Sequence, residues 1–356
     1  MEDISDVEVI APNFKRRLSG VTSTIIQLVP VQRALGQKVA TLGPGLPAGL
    51  PHIGYSALLR LWGCPKNRVL RVWHARRNVE MLPAIVLRDI LRMKLRIVFT
   101  SASQRRHSGW TKFLIRRMDA VIATSNRTAA YLDVPSTTIM HGIDTGRFFP
   151  APDKAAAKAA LGLPADRKIA GCFGRVRRQK GTDLFVDSMI NLLPSRPDWI
   201  AIVAGRATAA HVSFENELRE KVKQAGLSDR ILFVGEHTNI PDWYRALDLF
   251  IAPQRWEGFG LTPLEAMATQ VPVVATDVGA FSELLVTGEN ETGILIAANT
   301  LTEMTEAAAW FMDDAERARL AGDRGLARAT TTFSIEGEAS RIGAVYEMLL
   351  SDTVCG

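Results

Sequence analysis

Residues 255–270 read Arg-Trp-Glu-Gly-Phe-Gly-Leu-Thr-Pro-Leu-Glu-Ala-Met-Ala-Thr-Gln, and the rest of the chain is organised around them. Two carboxylates, Glu257 and Glu265, bracket Gly258, Gly260, Thr262 and Pro263. Thr262 is a good capping residue, Pro263 suits the first helical position, and Glu265 falls at the third, which is the pattern of a capping box. The stretch therefore predicts a glycine-softened loop running into a helix N-terminus. Such a terminus presents free backbone amides and a partial positive charge, so it suits phosphate. Glu265 then has two readings, a reciprocal cap or a ligand-binding carboxylate, and this pattern alone leaves both open.

Working outward, the stretch lies between two apolar runs, Asp248–Ala252 and Val271–Thr276, both rich in strand-forming residues. Further strand candidates precede and follow them at Lys168–Phe173, Trp199–Gly205, Ile231–Gly235 and Gly293–Ile296. Helical patterns fill the gaps, at about Thr182–Leu193, Ser213–Ala225, Ile240–Ala246 and Ala280–Val286. The first half repeats the alternation, with strands predicted at Val7–Ala11, Lys38–Leu42, Val69–Trp73, Leu95–Thr100, Ala120–Thr124 and Thr137–Met140. Alternation of this kind argues for right-handed βαβ units and parallel sheets. The pattern predicts an α/β protein of two doubly wound, Rossmann-like domains, residues 1–148 and 149–332, facing a cleft. The stretch Leu301–Leu350 reads as helical, with a break at Thr330-Thr331-Thr332; the helix over 333–356 is expected to cross back onto the first domain.

Composition fits a folded protein: 356 residues, 47% of them hydrophobic and 22% charged. The acidic start Met-Glu-Asp-Ile-Ser-Asp has no apolar core, and no run of about 18 apolar residues occurs, so neither a secretory signal nor a membrane span is expected. Cys64, Cys172 and Cys355 are far apart and unaccompanied by a His/Cys cluster, which points to reduced thiols of a cytosolic protein. Charge is divided unevenly. Residues 1–150 carry 22 Lys and Arg against 9 Asp and Glu, a balance of +13, and the remainder balances at −7. The first half is thus expected to face an anionic partner. Nucleic acid is one such partner, but this half has no helix-turn-helix or RNP-type signal, and its arginines are not interleaved with stacking aromatics. Within it, Asn78–Arg96 intersperses Ile85, Leu87, Ile90, Leu91 and Leu95 with Arg88, Arg92, Lys94 and Arg96. This reads as a basic amphipathic helix able to lie on an anionic leaflet, or as an ordinary helix packed on its sheet.

A second motif lies at Gly174–Gly181, Gly-Arg-Val-Arg-Arg-Gln-Lys-Gly, between a strand and a helix. Arg175 and Lys180 place two cations where a diphosphate leaving group would be stabilised. Neither a phosphate-loop pattern nor a G-x-G-x-x-G is present, and no Asp-x-Asp metal motif appears.

Gly174-Arg175-Val176 with Gln179-Lys180-Gly181, then Glu257–Ala266, then Pro272–Gly279 resemble the retaining glycosyltransferases of family 4, which have the two-domain GT-B fold. His141-Gly142-Ile143-Asp144 stands where that family usually writes Asn-Gly-Val/Ile-Asp. The resemblance implies an acceptor-binding first domain and a donor-binding second one. It implies that Gly174, Arg175 and Lys180 hold the donor diphosphate, and that Glu257 with the amides of Gly258, Phe259 and Gly260 grips the transferred sugar. Leu261 and Thr262 would meet the phosphates and Glu265 the ribose hydroxyls. Catalytic importance falls on Arg175, Lys180 and Glu257, and no metal or other cofactor is expected. Ser19-Gly20 is the candidate for the family's glycines after the first strand. No histidine stands in register after the fourth strand, at Phe99–Ser103, which leaves His74 and His107 as polar candidates. His74 is the catalytic candidate. Arg76, Arg77, Arg105, Arg106 and His107 are acceptor candidates, able to pair with carboxylates or phosphates.

The segments His74–Met81 and Ser101–Ser108 are similar to those of bacterial lipopolysaccharide core mannosyltransferases. That resemblance implies transfer of mannose from GDP-mannose to Kdo on lipid A, by a cytoplasmic protein held peripherally at the inner face of the membrane. Another nucleotide sugar, UDP- or ADP-linked, and another anionic glycan remain the alternatives within the family.

Overall fold

The computed structural model describes residues 2–16 and 20–351. The chain forms two compact units, one of residues Met1–Gly142 with the segment from Ile335, the other of Ile143–Ser334.

The first unit is built on seven parallel strands, β1 (Val9–Pro12), β2 (Val39–Leu42), β3 (His52–Ile53), β4 (Arg71–Ala75), β5 (Leu95–Ser101), β6 (Ala120–Ala123) and β7 (Thr137–Thr138). Their order is β3-β2-β1-β4-β5-β6-β7. Helices α1 (Gly20–Ala34), α2 (Asn78–Ile85), α3 (Gly109–Ile115) and α4 (Asn126–Ala129) connect them. β1, β2 and β4 are buried along their whole length, as expected of parallel strands covered on both faces. β4 and β5 run in register from Arg71 opposite Leu95 to Ala75 opposite Phe99.

The second unit repeats the plan with six parallel strands: β8 (Lys168–Phe173), β9 (Trp199–Ala204), β10 (Ile231–Gly235), β11 (Leu249–Ala252), β12 (Val273–Thr276) and β13 (Gly293–Ile296). Their order is β10-β9-β8-β11-β12-β13, which reverses direction between β8 and β11. The helices are α5 (Lys154–Ala160), α6 (Thr182–Leu192), α7 (Val212–Gln224), α8 (Ile240–Arg245), α9 (Thr262–Ala268), α10 (Phe281–Leu284), α11 (Leu301–Met312) and α12 (Ala315–Thr332). One core, including Phe185, Met189, Val203, Ile251 and Phe311, lies against one face of this sheet. The last helix, α13 (Ile335–Ser351), belongs to the first unit. There its residues Ile335, Ala339, Ile342, Tyr346 and Leu349 share a core with Ile25, Leu28 and Val29 of α1. No helix among the described residues is long and apolar enough to cross a membrane.

Two expectations are corrected. Asn78–Arg96 is not one helix: α2 ends at Ile85, a π-turn spans Val86–Ile90, Arg92 takes a left-handed φ of 55°, and the chain enters β5 at Leu95. Arg88 and Arg96 do not form a free basic face, because both are paired with Asp119, Arg88 also with Asp89. Strand pairing to β4 outweighed the helical periodicity here. The threonines 330–332 do not interrupt a helix either. They end α12, with Thr330 and Thr331 hydroxyls turned back onto the carbonyls of Leu326 and Ala327, and the break falls at Phe333-Ser334. Gly20, the candidate glycine after the first strand, opens α1 and is exposed, with open space where a Cβ would stand. Ser19 lies outside the described residues, as do Cys355 and the end of the predicted 333–356 segment.

Candidate active site

In open α/β sheets, ligands settle beyond the carboxyl ends of the strands where the strand order reverses. In the second unit that point lies between β8 and β11, and the two motifs singled out in the sequence are the loops that follow those strands. After β8, Gly174 turns the chain with φ 138°, and a single 3₁₀ turn, Arg178–Lys180, leads to Gly181 at the start of α6. Gly181 has φ 70°, and a Cβ there would stand 1.8 Å from the Pro253 carbonyl oxygen. Only glycine lets the loop after β8 lie this close to the loop after β11.

Arg255 ties the two loops together. Its amide donates to the Gln179 carbonyl at 2.9 Å, and its guanidinium forms a fork on Asp183 at 2.7 and 2.9 Å. The fork is the bidentate geometry that makes arginine–carboxylate pairs directional. With the loops held so, Lys180 Nζ donates to Glu257 Oε2, and the Glu257 Oε1 accepts from the Gly258 amide at 3.1 Å. Both side chains remain about one-fifth exposed, at 21% and 19%, so the pair is reachable by a ligand. Arg175 is exposed, and its side chain makes no ion pair or hydrogen bond among the described residues. The loop is further held by Gly260, φ 86°, where a Cβ would meet the Phe281 ring at 2.3 Å, and by the Ala280 amide donating to the Phe259 carbonyl at 3.0 Å. The Cys172 thiol, two residues before Gly174, is pushed up to about 12 by burial and stays an unreactive core group.

Glu265 resolves differently from the capping box. α9 begins at Thr262 with Leu261 before it and no side-chain cap. Thr262 Oγ1 accepts a long bond from Gln254 Nε2 at 3.4 Å, and Glu265 turns its carboxylate to the Tyr244 hydroxyl, which donates to Oε2 at 2.8 Å. Burial raises the Glu265 carboxyl, against the opposing pull of Tyr244 and of the Arg147 charge. Tyr244 is fully buried, with its ring edge-on to Phe173 at 4.6 Å and beside Phe250 at 5.2 Å. Among the described residues no polar partner occupies Oε1 of Glu265, so half of this carboxylate is left for a ligand. Lys180, Glu257, Gly258, Gly260, Thr262 and Glu265 thus lie on two adjoining loops and the first turn of α9, beyond the carboxyl ends of β8 and β11. Tyr244, Arg255 and Asp183 were not among the predicted site residues. Arg255 and Asp183 sit inside or beside the motifs, but nothing in a sequence says which arginine will bridge them.

The first unit places its candidates at the carboxyl ends of β4 and β5. Arg77 is held by Asn13 at 2.8 Å, by Thr22 at 3.0 Å and by the fully buried Glu80 at 2.8 Å, while the Arg76 guanidinium donates to the His74 carbonyl at 3.3 Å. Arg105 and Arg106 are exposed and make no side-chain hydrogen bond or ion pair among the described residues. Burial, aided by the charges of Arg105 and Lys112, lowers the His107 imidazole, and its Nε2 is buried with no partner. His74 stands apart from the others. It has no exposed surface, and its two nitrogens are engaged, Nδ1 with the Tyr346 hydroxyl and Nε2 with the Thr100 hydroxyl, both at 2.6 Å. It offers no open nitrogen to a ligand, unlike its expected catalytic place. His141, the residue in place of the family's asparagine, pairs with Glu338 of α13 at 2.8 Å, and Glu338 also accepts from the Gly142 amide at 2.8 Å.

Residues 153–327 match the family described as Glycosyl transferases group 1. The lipopolysaccharide core biosynthesis mannosyltransferase LpsB of Rhizobium meliloti (strain 1021) is 74% identical over 350 residues, covering 98% of this chain and 100% of that protein. LpcC of Rhizobium leguminosarum bv. viciae, of the same description, is 57% identical over 352 residues, covering 99% of both chains. Among solved structures, Anabaena HepE in complex with UDP superposes with a TM-score of 0.82 at 19% identity, over 96% of this chain and 100% of that one, a likeness of GT-B fold. The chain therefore belongs to the group 1 glycosyltransferases of GT-B fold, within the family of lipopolysaccharide core biosynthesis mannosyltransferases.

Proposed function

We propose that this protein transfers mannose, with retention of anomeric configuration, from GDP-mannose to a Kdo residue of a lipid A–core acceptor at the cytosolic face of the membrane. The observation that carries this reading is the pairing of Lys180 with Glu257 across adjoining loops at the strand-order reversal of the second unit, with the half-free carboxylate of Glu265 in the first turn of the helix that follows. In this reading Lys180 leaves Glu257 for the donor's diphosphate, joined there by Arg175. Glu257 and the amides of Gly258, Phe259 and Gly260 then receive the mannose hydroxyls. Glu265 Oε1 accepts from a ribose hydroxyl while Tyr244 holds Oε2, and the amides at Leu261 and Thr262 meet the phosphates. The bond from the anomeric carbon to the diphosphate breaks as the acceptor hydroxyl attacks from the same face, and its proton passes to the departing phosphate oxygen. Arg175 and Lys180 offset the negative charge that develops there, so the reaction needs no metal. The two glutamates are binding groups and not the acid and nucleophile of a glycosidase.

The basic first unit supplies the acceptor side. Arg105 and Arg106 are open cations, Arg76 and Arg77 are held at the end of β4, and His107 has an unpartnered nitrogen, a set suited to the Kdo carboxylate and lipid A phosphates. The test is a panel of GDP-, UDP- and ADP-sugars assayed with Kdo-containing and Kdo-free lipid acceptors, with and without EDTA. Transfer from GDP-mannose to the Kdo-containing acceptor alone, undiminished by EDTA, is the expected result. Transfer from a UDP- or ADP-sugar would replace the donor assignment, and equal transfer to both acceptors would remove Kdo.

A further inference from the structure

Helix α3 is short, yet apolar on two sides. Leu114 and Ile115 are buried in the core of the first unit, as one face of such a helix should be. Its other face carries Trp110 and Phe113, 52% and 46% exposed, with rings stacked at 5.6 Å. A helix packed on a sheet and otherwise facing water has no use for two large aromatic rings one turn apart on its outer side. Helix α2 packs beside α3, with Asn78 Nδ2 donating to Thr111 Oγ1 at 2.8 Å. On α2, Leu82 is 42% exposed.

Cations frame these rings. Arg117 lies over the Phe113 ring at 4.7 Å. Arg116 is exposed, and its side chain has no ion pair or hydrogen bond among the described residues. Arg105 and Arg106 precede the helix in the same loop. The nearby carboxylates are already neutralised, Asp133 by Lys112 at 2.7 Å and Asp89 by Arg88 at 2.7 Å, with Arg117 reaching Asp89 at 3.3 Å and leaving Arg105, Arg106 and Arg116 as the open cations. An exposed Trp–Phe pair framed by Arg117 and by the unpaired Arg105, Arg106 and Arg116 has the composition of a surface that rests in the headgroup layer, with rings at the apolar boundary and guanidinium groups on lipid phosphates. A protein partner with an apolar patch would not call for the open cations, and nucleic acid would not call for Leu82.

We infer that the outer face of α3, Trp110 and Phe113 with Leu82 of α2 and Arg116, is the surface by which the protein docks on an anionic lipid bilayer. The inference rests on the acceptor reading above, because the docking face is continuous with the Arg105–His107 loop. An acceptor sugar anchored in the bilayer then needs to reach only a few residues from where the protein touches lipid. It also moves the membrane contact away from Arg88 and Arg96, whose charges are spent on Asp119.

The experiment is co-sedimentation of the full chain with vesicles of phosphatidylcholine alone and of phosphatidylcholine with one quarter phosphatidylglycerol. Binding to the anionic vesicles is expected, weakened at least tenfold by Trp110→Ser with Phe113→Ser and several-fold by Arg116→Gln with Arg117→Gln. Circular dichroism and melting confirm folding of each variant. Fluorescence of the wild type is quenched by brominated anionic lipid, and Trp110→Phe, which keeps the packing, removes that quenching. The Trp110→Ser, Phe113→Ser variant retains transfer to a water-soluble, deacylated acceptor and loses it on the vesicle-bound one. Undiminished sedimentation of the variants, absence of quenching, or a wild-type dimer that the variant converts to monomer would overturn the docking face. Vesicle binding is read without any sugar donor, so a wrong assignment of donor or acceptor leaves this outcome intact.

Discussion

The Tyr244 hydroxyl donates to Glu265 Oε2 at 2.8 Å, from a ring with no exposed surface. The bond links the buried aromatic cluster of Phe173, Tyr244 and Phe250 to the rim of the site. Tyr244→Phe keeps the ring and removes the donor, leaving a partly buried carboxylate without its partner. We expect a loss of about 1.5–3 kcal/mol in urea unfolding and a weakened affinity for the sugar nucleotide in titration. Unchanged donor affinity would show that Glu265 needs no orientation by Tyr244.

The same pair sets a pH dependence. Burial holds the Glu265 carboxyl above its ordinary value of 4.5, so above that pH the native state keeps a proton that the unfolded chain has released. The stability this group contributes is fully present below pH 4.5 and is lost as pH rises through the raised value. Glu265→Gln retains an acceptor for Tyr244 and removes the titration. Across pH 4 to 7, wild-type stability is expected to decline relative to Glu265→Gln, read from denaturation midpoints. Parallel pH profiles would refute the raised carboxyl.

Lys180 and Glu257 neutralise one another across the two site loops. If Lys180 transfers to the diphosphate, Lys180→Ala loses a transition-state interaction and turnover falls by about 10²-fold or more. Stability should also fall, because the pair is about four-fifths buried and Glu257 is left without its partner, so turnover is read per folded molecule. Turnover near the wild-type rate would remove Lys180 from the leaving group.

Gly181→Ala tests the backbone contact that brings those loops together. A Cβ would stand 1.8 Å from the Pro253 carbonyl, on a backbone of φ 70°. One loop must withdraw, so a destabilisation of about 3 kcal/mol is expected, at the high end for a point change. Donor affinity should fall with it. By contrast Gly162, also at positive φ but with nothing within 4 Å, should accept alanine at only the cost of the left-handed backbone.

Most of the parallel-sheet architecture was legible in the sequence because parallel strands buried on both faces leave continuous apolar runs, as Lys168–Phe173 and Trp199–Ala204 do. The two loops that meet at the strand-order reversal were legible because glycines at tight approaches and charges beside them leave a local pattern, and Gly174–Gly181 with Glu257–Glu265 is local. What failed needed long-range information. Glu265 left its capping box for Tyr244, twenty-one residues upstream. Arg88 and Arg96 met Asp119, and the helix expected through both stops at the π-turn ending at Ile90, short of β5. His74 gave the same single-letter signal as an exposed catalytic histidine. Only the return of α13, bringing Tyr346 across 272 positions, determined that it would be enclosed.

That enclosure yields the last prediction. The His74 imidazole lies between the Tyr346 and Thr100 hydroxyls, edge-on to the Tyr346 ring at 5.6 Å, and burial, with the Arg76 charge, holds it well below its ordinary 6.5. A neutral ring has one donor and one acceptor nitrogen, and the two hydroxyls complement both. In the unfolded chain the ring takes up a proton as pH falls below 6.5, whereas the native state excludes it. The stability it contributes is therefore complete above pH 6.5 and is lost as pH falls, with a slope approaching about 1.4 kcal/mol per pH unit. His74→Gln should flatten that slope between pH 5 and 6.5 in urea midpoints. His74→Ala, which leaves a void and two unpaired hydroxyls, should cost about 2–4 kcal/mol. Because the ring has no open nitrogen, turnover per folded His74→Gln molecule should stay within a few-fold of wild type. A hundredfold loss of turnover in a stably folded His74→Gln would restore the histidine to the reaction and require α13 to move away from it.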